Sequence, residues 1–256
     1  GLHDGNKYKN WVLIASWKDF SFLRDYTAYK MGKLIDSKYY ATDCRLVEVY
    51  INDSYWGVYL LVEQQESKRV GITEAVEGDG IVETGYLLEY DSYAGIVNNQ
   101  NIIDKPTLGD DGFDIGWYGD FLDINLEKVS YANTWYTIKS DYDEQKKAFI
   151  TNYMVKLWEI CREAIENHKY LEFDANNKNL IASSAKTPEE CISKVVDIDS
   201  LVDTFILQEI ACDLDLHWSS FYMDLDLNPE NQKRLTFEAP WDFDSAFGNH
   251  KDRQLG

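Results

Sequence analysis

The sequence predicts an α+β protein in two lobes, strand-rich over residues 1–140 and helix-rich over residues 141–256. Three observations carry this. Alternating or apolar runs bounded by Gly, Asn and Asp recur through the first half. Longer stretches with helical spacing, opened by acidic or hydroxyl residues, fill much of the second half. No internal repeat is present, so strands followed by helices point to segregated layers around a core. With 256 residues, 45% of them apolar and 14% aromatic, the chain has enough material for a sizeable core.

The elements follow in order. Trp11-Val-Leu-Ile-Ala15 is a short apolar run that reads as a buried strand. Helical spacing runs from about Ser21 to Leu34, with Asp19 or Ser21 as its cap. Cys44 to Tyr50 alternates, Asn52 to Gly57 supplies turn chemistry, and Val58 to Glu63 returns, which makes a hairpin. Gly85 to Tyr90 is another strand, and the Gly-, Asn- and Asp-rich stretch from Asp91 to Gly119 is an irregular excursion. Thr134 to Lys139 reads as a strand. Asp143-Glu144-Gln145 opens a long helix to about His168, with acids placed favourably in its first turn. Residues 169–197 form a polar connector with a short helix at Pro188 to Lys194, and Asp197 to Ser200 caps a helix through Glu209. Two strands, Ser219 to Asp226 and Arg234 to Glu238, are joined by the turn Asn228 to Asn231.

The formal charge of −20 excludes sequence-independent nucleic-acid binding, which needs a basic face to displace counterions, and disfavours an anionic membrane surface. No run of 18 or more apolar residues is present, so no membrane insertion is expected. The first residues show no basic region followed by an apolar stretch. Cys44, Cys161, Cys191 and Cys212 lack C-x-x-C spacing, so a structural zinc is not expected; free buried thiols are.

Chemistry concentrates near the C-terminal end. Asp213-Leu214-Asp215 follows an apolar helix, and Trp241-Asp242-Phe243-Asp244 follows Pro240 directly. Carboxylates in apolar company cost several kcal/mol or more unless a cation, a donor or a metal compensates them. The helix-to-loop-to-hairpin path returns the second cluster close to the first. On spacing alone, three chemistries fit: metal-assisted phosphoryl transfer, a structural calcium site, and acid–base glycoside hydrolysis. No G-x-x-x-x-G-K-[ST] or G-x-G-x-x-G phosphate loop is present.

The ordered segments discriminate further. Lys9 to Ala15 with Asp19 and Leu23-Arg24, Val49 to Asn52 with Tyr55 to Tyr59 and Glu63, and Gly85 to Glu89 are followed by Ile138-Lys139. The helix from Asp199 to Glu209 leads to Asp213 and Asp215, and Pro240 to Asp244 with Phe247-Gly248 closes the series. This series resembles the spore-coat protein H (CotH) kinase family across nearly the whole chain. The resemblance implies an atypical protein-kinase-like fold that uses ATP with Mg²⁺ or Mn²⁺ to phosphorylate serines of a protein, at an extracellular, spore or cell surface. It implies Asp215 as the catalytic aspartate, Asp242 as the metal ligand with Asp244 second and Asp213 beside them, and Trp241 against the adenine.

A phosphate-binding cation paired to a glutamate is expected with such a fold. Lys139, Lys9 and Arg24 are candidates for the cation and Glu63 and Glu89 for its partner, with Lys139–Glu63 the preferred pair. Arg24 fits a structural ion pair equally well. The acidic balance favours a basic protein substrate. Two positions depart from the family pattern: Asp213 stands where an Asn is common, and Ser220 stands where a kinase loop offers Asn to a second metal. These departures keep open a non-catalytic pseudokinase or a calcium-stabilised binding domain.

Overall fold

The computed structural model describes residues 8–35, 38–91, 112–114, 119–122, 128–131, 135–214, 216 and 219–249. Helices and antiparallel sheets are mixed, as α+β requires.

The central layer is a five-stranded sheet in the order β12 (Lys233–Thr236), β11 (Phe221–Asp226), β4 (Gly85–Tyr90), β8 (Trp135–Ile138) and β5 (Gly112–Asp114). β4 pairs with β11 along one edge and β8 along the other, and residues Gly85 to Glu89 are buried on both faces. At its start, a Cβ on Gly85 would lie 2.2 Å from the Thr73 carbonyl oxygen, so only glycine admits this close backbone approach.

Against one face of this sheet lies α3 (Glu144–Glu166). Its buried stripe, Ile150, Tyr153, Met154, Leu157, Ile160, Cys161 and Ala164, repeats at three and four residues. The stripe meets Tyr86, Leu88, Tyr136, Ile138, Met223 and Leu225 from alternate positions of the strands. Each large side chain so buried contributes about 2 kcal/mol. Asp143 caps the helix by accepting from the Lys146 N–H.

A second sheet, β1 (Trp11–Ile14), β3 (Ser54–Glu63) and β2 (Cys44–Ile51), carries the expected hairpin. Its two-residue turn, Asn52-Asp53, has both φ values positive, at 48° and 63°, which the Asn and Asp side chains tolerate. β1 is not the buried strand expected from its apolar run: among the described residues it is an edge strand bonded only to β3, and Leu13 is exposed. Beneath the sheet, Ala28 and Tyr29 of α1 (Arg24–Ile35), Cys44, Leu60 and Val62 pack with Leu207 and Ala211 of α5 (Ile198–Ala211). Phe243 and Ala246 complete this core.

Shorter elements are α2 (Ser67–Val70), the β6–β7 hairpin (Gly119–Leu122, Lys128–Tyr131), β9–β10 (Leu171–Phe173, Leu180–Ala182) and α4 (Pro188–Ile192). The β9–β10 hairpin lies where the sequence reads as a polar connector, because three-residue strands leave almost no periodicity to detect. Both large cores draw residues from either side of position 140. Cys44, Cys161 and Cys191 are buried free thiols, whereas Cys212 is exposed. Among the described residues, no helix is long and apolar enough to cross a membrane.

Candidate functional site

Strand alternation turns Tyr86 and Leu88 toward α3, so Glu89 falls on the opposite face of the central sheet. Register fixes its neighbours. Glu89 stands opposite Tyr222 of β11 and Thr137 of β8, and Lys139, two residues beyond Thr137, shares their face. The result is an ion pair between Lys139 Nζ and Glu89 Oε2 at 2.6 Å, with Glu89 buried and the lysine partly open to solvent. Glu89 also accepts from the backbone N–H of Ser220 at 2.8 Å. Burial and the neighbouring Glu89, Asp91 and Asp242 charges hold the Tyr222 phenol well above its usual range, so it stays protonated.

Ser220 carries the contact onward. Its backbone is left-handed, φ 66°, and its hydroxyl donates to Asp242 Oδ2 at 3.2 Å. Asp242, also left-handed at φ 63°, is exposed. Lys139, Glu89, Ser220 and Asp242 therefore form one connected line from the sheet to the late acidic segment.

That segment is held from below by α1. Phe243 is fully buried, and its N–H donates to Asp25 Oδ1 at 2.7 Å. The Asp242 N–H points to the Tyr29 hydroxyl at 3.3 Å, and this hydroxyl donates to Asp25 at the same distance. Asp25 is itself buried, and burial pushes its carboxyl up to about 6; the Asp242 and Asp244 charges add to the rise while the Phe243 N–H opposes it. Asp25 and Tyr29 belong to the inward stripe 25, 28, 29, 32, at whose last member, Gly32, an added Cβ would lie 3.3 Å from Pro240. An acid at an inward helical position was the available signal for Asp25, and the sequence reading missed it.

The other expected site residues fall as follows. Asp215 lies outside the described residues. Asp213 is half-buried just past α5, its N–H directed to Gln208 O at 3.4 Å. The two acidic stretches do approach through their flanks, since the Phe247 N–H donates to Ala211 O at 2.6 Å. Asp244 is engaged by Lys18 at 3.3 Å and by the Ser245 hydroxyl at 3.1 Å. Trp241 is half-buried and stacked on Tyr29, with ring centroids 6.1 Å apart.

The preferred pair Lys139–Glu63 is not formed. Glu63 belongs to the second sheet, where it is buried against Arg69 at 3.0 Å and accepts from Tyr40 at 2.9 Å. Arg69 has no exposed side-chain surface and lies against the rings of Tyr8 and Trp11, which makes this a structural pair. Arg24 is likewise structural, bonded to buried Asp19 and donating to Ala246 O at 3.0 Å. Lys9 is exposed.

Among the described residues, no three His, Cys, Asp or Glu side chains converge as a protein cage for an ion would require. Calcium asks for six to eight oxygens, but Mg²⁺ takes one or two carboxylates and fills its other positions with water and phosphate. An exposed Asp242 carboxylate beside a serine hydroxyl fits the second demand.

The architecture is thus an α+β fold bearing a lysine–glutamate pair opposite an exposed, backbone-strained aspartate. The chain belongs to the CotH kinase protein family, whose profile matches residues 2–256. No curated protein matches it.

Proposed function

We propose that this protein is an ATP-dependent kinase that transfers the γ-phosphoryl group to a serine hydroxyl of a protein, within a kinase-like, two-lobed arrangement. The observation that supports this best is the line Lys139–Glu89–Ser220–Asp242, which links a cation at the sheet to a solvent-exposed carboxylate. Phosphoryl transfer is mainly a matter of positioning and charge neutralisation, and these two groups supply both.

In this reading Glu89 holds Lys139 extended so that its ammonium meets phosphate oxygens. Asp242 is the ligand for Mg²⁺ or Mn²⁺, with Asp244 and Asp213 as candidates for a second contact. A bound divalent ion would neutralise charge on the β- and γ-phosphates. Asp215 orients the acceptor serine and takes its proton as Oγ bonds to the γ-phosphorus. The bond to the β,γ-bridging oxygen breaks and ADP departs. Trp241 turns its open surface to the adenine, its other side resting on Tyr29. In this reading the protein works in an extracellular, spore or cell-surface setting.

A second reading has one observation behind it. Ser220, where kinases offer an Asn to a second metal, already spends its hydroxyl on Asp242, which suits a pseudokinase that binds nucleotide without transfer. Calorimetric titration with ATP, with and without Mg²⁺ or Mn²⁺, together with transfer from labelled ATP to basic serine peptides, separates the two. Metal-dependent binding with transfer that Asp215→Asn abolishes is the expected result. Absence of metal-dependent binding removes both readings.

A further inference from the structure

The two most exposed aromatic side chains among the described residues, Trp17 at 84% and Phe20 at 90%, stand in one loop between β1 and α1. Water contact of this extent is costly for side chains of their size. The loop holding them is nonetheless braced at every turn. Asp19, itself buried, accepts from the Ser21 N–H at 2.9 Å, the Ser21 hydroxyl at 2.7 Å and the Arg24 N–H at 3.0 Å. Two successive turns close through Asp19 N–H to Ser16 O and Phe22 N–H to Asp19 O, both at 3.0 Å.

The same loop is tied to the late acidic segment. Lys18 pairs with Asp244, and Asn249 Nδ2 bridges Lys18 O at 3.0 Å and Asp244 O at 2.8 Å. Arg24 reaches Ala246 O from the loop's far end. A hydrogen-bonded loop carrying two exposed aromatic rings therefore sits beside the segment that carries Asp242.

We propose that the Trp17–Phe20 loop is a docking surface for the phospho-acceptor protein, seating an aromatic or aliphatic side chain of the segment that bears the acceptor serine. This rests on the phosphoryl-transfer reading given above. Continuity with the segment that carries Asp242 sets an occupant of the loop beside that segment. Charge selects the occupant: with a formal charge of −20, two copies of the chain repel one another, and so does an anionic lipid surface, whereas a segment with Lys or Arg near its serine is attracted. Pre-ordering of the loop removes the entropy that a flexible surface loses on binding.

The test uses immobilised serine peptides with basic flanks, each with or without one Trp, Phe or Leu at a set offset, probed with the wild-type protein and with the Trp17→Ser/Phe20→Ser variant. Melting of the variant is expected to stay within about 2 °C of wild type, since both rings are exposed. Apolar-bearing peptides are expected to bind wild type, with at least about tenfold weaker binding to the variant. Equal binding by the two proteins, or indifference to the apolar residue, overturns the docking surface. Loop-dependent dimerisation in sedimentation, or loop-dependent pelleting with phosphatidylglycerol vesicles, overturns it too. Loop-dependent capture without phosphate incorporation supports the docking surface and sinks the transfer reaction. Incorporation with an unchanged KM in the variant does the reverse.

Discussion

Asp25→Asn is expected to stabilise this protein at neutral pH, an unusual outcome for a change at a buried, hydrogen-bonded position. Asp25 is held among apolar side chains of the second core, and its carboxyl is raised from 3.8 to about 6. The folded state therefore binds a proton that the unfolded chain has already released. Asp25 adds stability in full below about pH 4, and this is lost as the pH climbs through about 6. A shift of roughly two units corresponds to about 3 kcal/mol. Asparagine keeps an oxygen to accept from the Phe243 N–H and carries no charge at any pH, so it copies the protonated aspartate. Urea unfolding of both proteins between pH 4 and 7.5 should give stabilities that nearly coincide at the acid end. They should diverge by up to about 3 kcal/mol, in favour of Asn, at the other end. The difference between the two proteins cancels every other titrating group to first order. A difference that stays flat with pH, or a variant weaker throughout, would refute the assignment of a buried carboxyl whose desolvation outweighs its hydrogen bonds.

Other outcomes follow from the same contacts. Glu89→Gln leaves Lys139 without its anion and should lower phosphoryl transfer by about two orders of magnitude in single-turnover assays with labelled ATP. Asp242→Asn, at an exposed position, should remove the Mn²⁺ dependence of ATP binding by calorimetry while moving stability by no more than about 0.5 kcal/mol. Arg69→Met breaks a fully buried ion pair, leaves Glu63 uncompensated, and should cost about 3–5 kcal/mol in denaturant unfolding. Gly85→Ala drives a methyl group into the Thr73 carbonyl, and its melting temperature should fall below that of Ala28→Gly, which loses about 1 kcal/mol of helix propensity and one buried methyl group worth about 0.8 kcal/mol.

Elements whose signals are local were legible in the sequence. α3 and α5 begin at Asp143 and Asp197 because each carboxylate accepts from an N–H of the first turn, and these caps stand in plain view. The Asn52-Asp53 hairpin is legible for a similar reason. Partnerships between distant strands were not. Nothing local tells that β11 lies between β12 and β4, or that Glu89 rather than Glu63 pairs with Lys139, since both glutamates follow apolar runs at or next to the end of a strand. Exposed faces misled as well: the apolar run at residues 11–15 promises burial, but an edge position leaves part of it in water. Asp242 stood out because carboxylates among aromatic residues demand an explanation. The α1 residues beneath it did not, because a single aspartate on a helix ordinarily faces solvent.

Ser220 and Asp242 share one further property, a left-handed backbone on both sides of their hydrogen bond. Apart from glycine, only Asn and Asp adopt that conformation with ease. Codon randomisation at these two positions should therefore recover a short alphabet set by chain geometry before chemistry enters. Valine, isoleucine and threonine would be purged from the folded pool, whether or not the survivors retain any enzymatic competence.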